Sequence, residues 1–205
     1  MSLNIYVVDD DDAVRNSVVR LLSTKKEHCI RGFRSGDEFL ASENALEPGV
    51  VLLDFNMQGA NGMTVLKSLQ TAAKSFVVIM LTAHGAVGRA VDAMKAGAHD
   101  FIEKPYDGAT LMDRLENAFA ILQRERGKNV ERDAARARLG VLSRREHQVL
   151  DCLTEGQSNK QIASTLGISP RTIEIYRANL MMKLKIRSLA GAVRMAFTAN
   201  LPRTA

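Results

Sequence analysis

Cysteine is nearly absent: Cys29 and Cys152 are two thiols in 205 residues, too few and too far apart for a disulfide framework or a thiolate metal cluster. Both are expected to be reduced packing residues. No apolar run approaches the roughly 18 residues of a membrane span, and Met1-Ser2-Leu3-Asn4 leads into a strand instead of a basic and apolar leader. The expectation is a cytoplasmic protein with no membrane partner. Histidine offers no metal site either, since His28, His99 and His147 show no ligand-like spacing and His84 reads as a solvated loop residue. The last two fifths of the chain are poor in acid relative to base. Residues 1–122 hold 16 acids and 12 bases, net −4, whereas residues 123–205 hold 7 acids and 16 bases, net +9. Such asymmetry joins an acidic regulatory or catalytic half to a half that meets a polyanion.

What the chain does have is apolar residue: at 46% hydrophobic it can build a true core, and its length fits one to two domains of about 150 residues each. Val50-Val51-Leu52-Leu53 is a run without polar alternation, as expected of a parallel strand covered on both faces. It stops on Asp54 and a Gly/Asn-rich loop, where open α/β sheets place their chemistry. Ile5-Tyr6-Val7-Val8 runs in the same way into Asp9-Asp10-Asp11-Asp12, so neighbouring strands would bring three carboxylates together.

The alternation continues along the first half. Val14, Val18, Leu21 and Leu22 recur at helical spacing behind a cap from Asp11 or Asp12. A strand near Cys29–Phe33, a helix from Asp37, the strand at 50–53, a helix from about Thr64 and the strand Phe76–Leu81 follow. A helix around Ala90–Ala96 ends at Gly97, then a short strand His99–Glu103 precedes Lys104-Pro105, and Leu111, Leu115, Ala118 and Leu122 mark a fifth helix. Five βα units predict an α/β fold, a doubly wound, flavodoxin-like parallel sheet of five strands.

Four of the five strand ends carry a functional group: Asp9 and Asp10, Asp54, Thr82, Lys104. One such Asp alone is most often an N-cap or turn residue; five groups in order at strand ends are not explained that way. Clustered carboxylates repel and call for a hard cation with oxygen ligands, for which Mg²⁺ is the natural choice. With metal and ammonium present, one carboxylate can act as nucleophile toward phosphorus and Thr82 can hydrogen-bond the product.

At Val7-Val8-Asp9-Asp10, Leu53-Asp54, Thr82-Ala83 and Glu103-Lys104-Pro105 the chain closely resembles a response-regulator receiver domain over about residues 1–122. The resemblance implies Asp54 as phosphoacceptor, Asp10, Asp54 and the Asn56 carbonyl as direct Mg²⁺ ligands, and Asp9 as a ligand through water. It implies that Lys104 pairs with the phosphoryl group. Thr82 and Phe101 would be switch residues, the ring turning inward into the space the hydroxyl leaves. Asn56 falls at a position that in this family tunes phosphoryl lifetime. The chain departs from the pattern at Met57-Gln58, where receivers usually have Met-Pro, and the loop loses a residue that fixes φ, predicting a looser loop. Asn56 also counts against a phosphohydrolase with an Asp nucleophile, which would carry Asp-x-Asp here.

From Gln123 to Arg138, Glu125, Asn129, Arg132 and Arg136 replace the apolar stripe, predicting a charged, solvated helical linker over 123–138 and a separate domain over 139–205. Ser143 and Glu146 form a capping box, Ser158 caps a second short helix that Gly167 ends, and Ser169-Pro170 opens a third. Two short helices joined by Gly167-Ile168 read as a helix-turn-helix whose second helix enters the major groove. Helical phase turns Ile173, Tyr176, Leu180 and Leu184 inward and Arg171, Glu174, Ile175, Ala178 and Met182 outward. Glu174 suits a cytosine N4, Ile175 and Ala178 a thymine methyl. Thr172 joins the DNA-binding candidates, and Lys160, Arg177 and Lys183 suit phosphates.

Leu142-Ser143-Arg144-Arg145-Glu146, residues 156–163 and Ser169-Pro170-Arg171-Thr172-Ile173-Glu174 resemble the LuxR-type DNA-binding domain, an all-α four-helix unit, with Tyr176 where that pattern commonly has His. The order of the two halves is similar to the FixJ/NarL class, and residues 93–97 and 100–105 are especially FixJ-like. That resemblance implies a transcription regulator, not an enzyme beyond its own phosphorylation and dephosphorylation. Implied partners are a sensor histidine kinase, double-stranded DNA, RNA polymerase and a second copy of the chain, joined on phosphorylation, with the helix from Ser188 through Val193 and Met195 as the dimer contact. Intact Asp10, Thr82 and Lys104 argue against an architectural DNA binder with a degenerate receiver.

Overall fold

The computed structural model describes residues 3–23, 28–72, 74–83 and 87–200. They fall into two compact units, divided between Arg126 and Gly127.

In the first unit, β1 (Leu3–Val8), α1 (Asp12–Leu22), β2 (His28–Phe33), α2 (Gly36–Ser42), β3 (Gly49–Asp54), α3 (Gly62–Thr71), β4 (Phe76–Ala83), α4 (Val87–Lys95), β5 (Asp100–Lys104) and the first part of α5 (Gly108–Leu139), which runs on past Arg126, alternate as expected. All strand pairs are parallel, in the order β2-β1-β3-β4-β5. The order reverses between β1 and β3, so the crevice beyond their carboxyl ends is the topological switch point. β3 is buried at every residue, which is why its sequence has no polar alternation.

Successive side chains of the strands feed two separate cores. Ile5, Val7, Val50, Leu52, Ile79 and Leu81 pack under α1 and α5, where Leu111, Leu115 and Ala118 close the layer. Tyr6, Val8, Val51, Leu53, Val78 and Met80 pack against α2, α3 and α4 through Phe39, Val65, Leu66 and Ala93. Asp11 caps α1, its side chain accepting from the N–H groups of Ala13 and Val14. Ser35 caps α2 and Asn61 caps α3, so these helices start at Gly36 and Gly62, one and two residues ahead of the expected starts. Gly62 opens α3 because the backbone there passes so close that a Cβ would lie 2.4 Å from the Asp54 carbonyl oxygen.

The second unit contains α6 (Arg144–Thr154), α7 (Asn159–Leu166), α8 (Pro170–Leu184) and α9 (Leu189–Ala199). Ser143 and Glu146 make the expected capping box; Ser158 makes another with Gln161. Gly167, at φ +68, ends α7 in the left-handed region that turns the chain toward α8. Segment 123–138 is helical throughout with Ala135 its one buried residue, in keeping with a solvated helical linker. Its last turns belong to this unit, Ala135 and Leu139 being buried with Leu142, Leu150, Leu180, Leu184, Ala192 and Ala199. The arginines there also have structural partners: Arg136 Nε donates to the Ala199 carbonyl at 2.8 Å and Arg138 donates to the Leu184 carbonyl, each at the last residue of a helix. Cations suit the orphan carbonyls of helix C-termini. A stripe of one alanine and one leucine among arginines is too sparse to read as a core face.

Candidate functional site

The carboxyl ends of β1, β3 and β5 converge on one ammonium. Lys104 Nζ donates to Asp54 Oδ1 at 2.6 Å and to Asp9 Oδ2 at 2.8 Å. Asp9 and Asp54 are buried, at 1% and 7% exposure. Burial pushes the Asp54 carboxyl above its ordinary value, a shift that the Lys104 ammonium offsets only in part. Burial also works against the Lys104 cation, but the two carboxylates outweigh it and hold the ammonium above its ordinary value. Backbone donors complete the cluster: the N–H of Asn56 donates to Asp54 Oδ2 at 2.7 Å and that of Asp11 to Asp9 Oδ1 at 2.9 Å. Behind it, the Asp9 carbonyl accepts from the buried Arg15 guanidinium at 2.8 Å, while Arg15 also pairs with Asp12.

The expected meeting of three carboxylates is corrected here. Asp9 and Asp54 meet, but Asp10 is exposed, because consecutive residues leaving a strand point to opposite sides. Among the described residues no three His, Cys, Asp or Glu side chains form a metal-binding group. The ligand set that the resemblance implies, two carboxylates and one backbone carbonyl, is of another kind: Asp10, Asp54 and the Asn56 carbonyl offer hard oxygens, the donors that a hard divalent cation takes.

Hydrogen bonds tie the loop after Asp54, for which the missing proline predicts looseness, to its neighbours. The Gln58 N–H, a donor that proline would lack, reaches Asp10 Oδ2 at 3.4 Å. Asp37 Oδ2 accepts from the Ala60 N–H at 3.1 Å, and Met57 is buried. Arg89 of α4 donates to Asn56 Oδ1 at 2.9 Å with its guanidinium carbon 5.3 Å from the Phe55 ring centroid. Nothing in the local pattern singles out Arg89, which is 33 residues from its partner.

Thr82 is buried near the end of β4, and the next residue, Ala83, is in register with Lys104. Phe101 is 40% exposed, so its ring lies outward in this structure. His84 lies outside the described residues.

In the second unit the helical phase of α8 holds. Ile173, Leu180 and Leu184 are buried, Tyr176 packs partly buried against Val149, Ile162 and Ile173, and Arg171, Glu174, Ile175, Ala178 and Met182 are exposed. Ile175 at 56% and Met182 at 70% exposure are large apolar side chains in water, Ile175 beside Arg171 and Glu174. The flanking candidates differ among themselves. Lys160 is exposed and Thr172 half-buried, its hydroxyl hydrogen-bonded to the Ser169 cap. Arg177 donates to Asn159 Oδ1 and so ties α8 to α7. Lys183, expected as a phosphate contact, instead donates to the buried Glu146 carboxylate at 2.8 Å. Burial pushes that carboxyl up, but the hydrogen bonds from Lys183 and Ser143 outweigh it and hold it below its ordinary range. A pair 37 residues apart is invisible to sequence spacing.

Known proteins show the same two-part composition. The family model for the response regulator receiver domain matches residues 5–116, and that for bacterial regulatory proteins of the luxR family matches residues 140–196. The transcriptional regulatory protein FixJ of Azorhizobium caulinodans is 42% identical over 200 residues, covering 98% of this chain and 94% of its own. The C4-dicarboxylate transport transcriptional regulatory protein DctR of Rhodobacter capsulatus is 36% identical over 197 residues, covering 95% of this chain and all of its own. Among solved structures, the response regulator StyR superposes with a TM-score of 0.73 at 32% identity, covering 96% of this chain and 99% of that one. Full-length FixJ from B. japonicum does so with a TM-score of 0.60 at 38% identity, covering 98% of each chain.

Proposed function

The chain belongs to the two-component response regulators that join a receiver to a LuxR-type DNA-binding domain, and from that premise we propose that a sensor histidine kinase phosphorylates Asp54. The observation that carries this is the ammonium of Lys104 held 2.6 Å from a buried Asp54 carboxylate at the sheet's switch point. Burial makes that carboxylate a stronger base, hence a better nucleophile, than a solvated aspartate. A carboxylate oxygen forms the new bond to phosphorus while the bond from phosphorus to the phosphohistidine nitrogen breaks. Lys104 then follows the charge onto the phosphoryl oxygens.

Asp10, Asp54 and the Asn56 carbonyl would hold Mg²⁺ directly, with Asp9 acting through water. Bound there, the ion supplies charge stabilisation at the transferring oxygens. Thr82 donates its hydroxyl to the phosphoryl group and Phe101 turns inward into the space vacated. Two copies then pair and present their DNA-binding halves to paired half-sites, with α9 as the contact between those halves. Arg171, Thr172, Glu174, Ile175 and Ala178 face the bases from α8, and Lys160 and Arg177 serve phosphates. The bound dimer regulates transcription through RNA polymerase in the cytoplasm, and the protein turns over no other substrate.

Intact-mass measurement after incubation with acetyl phosphate tests the acceptor. Wild type gains one phosphoryl group, chelation of divalent cations abolishes the gain, and Asp54→Asn shows none; an equal gain in that variant would defeat the assignment.

A further inference from the structure

Arg89 has no part in the chemistry above, yet it touches both residues that follow the phosphoacceptor. From the first turns of α4 its guanidinium donates to the Asn56 side-chain oxygen at 2.9 Å and packs 5.3 Å from the Phe55 ring centroid. Asn56 is also the residue whose backbone N–H grips Asp54 Oδ2 at 2.7 Å. One cation therefore fixes the side chain of the residue that holds the acceptor by its backbone. Asn56 and Arg89 are both exposed, so the pair covers the solvent side of the loop beside Asp54, whose own carboxylate is buried.

We infer that Arg89 is a positioning residue that lengthens the life of the phosphoryl group on Asp54 by immobilising the Asn56 carboxamide. The reading rests on Asp54 being the phosphoacceptor. Loss of the group is hydrolysis: a water oxygen bonds to phosphorus, the bond to the Asp54 oxygen breaks, and inorganic phosphate leaves with the proton passing to solvent. A free carboxamide beside the site accepts a hydrogen bond from such a water and orients it, the task given to amide side chains in phosphoryl hydrolysis elsewhere. Held by Arg89, the Asn56 oxygen has one of its two lone pairs engaged and the carboxamide is no longer free to turn toward that water. The planar guanidinium is suited to this because it bonds at its edge while its face lies against an aromatic ring.

The full chain is loaded with acetyl phosphate and Mg²⁺, the donor is removed, and loss of the added mass is followed in wild type, Arg89→Ala, Arg89→Lys, Asn56→Ala and the double variant. Arg89→Ala is expected to lose phosphate faster by about three- to tenfold, the scale of one partly exposed charge-assisted hydrogen bond. Arg89→Lys, which keeps the donor without the stacked plane, falls between. In the Asn56→Ala background, removing Arg89 adds nothing, because the two act as one unit. An unchanged or longer lifetime in Arg89→Ala overturns the inference, as does an equal effect of Arg89→Ala with and without Asn56. Wild type that gains no mass removes the acceptor assignment and the inference together, whereas wild-type loading with an inert Arg89 removes the inference alone.

Discussion

Lys160 and Lys183 have the same side chain and lie in the same basic half, but the fold gives them different work. Lys160 is exposed at the start of α7. Lys183 neutralises a carboxylate that is 4% exposed. If Lys160 serves a phosphate as proposed, Lys160→Ala should lower the salt slope of DNA binding by roughly one ion while leaving the folded unit intact. Removing the second strands a buried charge, at a cost of about 1–3 kcal/mol. Lys183→Ala should therefore move the denaturation midpoint and leave the salt slope nearly as it was. Measuring log Kobs against log salt, with urea denaturation of the same samples, separates the two: a slope change in Lys183→Ala with an unmoved midpoint would restore it as a DNA contact.

Elements of the second unit are joined through Glu146, which closes the capping box of α6 and accepts from Lys183 of α8. Its carboxyl is held below the ordinary value of 4.5. A depressed folded pKa means that the ionised group's contribution to stability is complete above the unfolded value and is lost as pH falls through the folded one. Wild type should thus lose part of its stability below about pH 4.5, in the ordinary glutamate range. Glu146→Gln keeps an acceptor for the Ser143 N–H but has no charge to lose. It should be less stable than wild type near neutrality, and the gap should narrow as the pH falls. Urea denaturation from about pH 6 down to pH 3 checks this, and a gap independent of pH would mean that the charge on Glu146 does not hold α6 to α8.

At the scale of the whole molecule, if Asp54 takes the phosphoryl group as proposed, a charge added at one strand end must become a change in assembly. It adds about −1.5 to −2 charges beside Thr82, which is buried at 3% exposure on β4. Phe101 stands on the neighbouring strand with its ring 40% exposed, and Val91 and Met94 of α4 are similarly exposed apolar groups. On the switch proposed above, a hydroxyl drawn toward the phosphoryl group would leave room for the ring to move inward and would rearrange the surface near α4. Thr82→Ala should therefore accept phosphate from acetyl phosphate and yet dimerise poorly. Sedimentation velocity of the phosphorylated variant measures this directly, and wild-type dimerisation would break the proposed link between site and assembly.

Much of this protein could be read without coordinates. Uniform apolar runs such as residues 50–53 identify buried parallel strands because a sheet covered on both sides has no wet face. The capping residues Asp11, Ser143, Ser158 and Ser169 mark helix starts because they satisfy orphan N–H groups within three residues, a local requirement written locally. The order of strand-end residues brings Asp9, Asp54 and Lys104 to one crevice, and the 3.6-residue period of α8 sorts its inner and outer faces. What sequence could not decide depends on where long side chains end. Asp10 turns outward, Arg89 reaches Asn56, Lys183 pairs with Glu146, and Arg136 and Arg138 meet the ends of helices. Each of those pairings joins residues separated by 33 to 63 positions. A flexible charged side chain has several partners within reach of its stem, and only the packed backbone selects one of them.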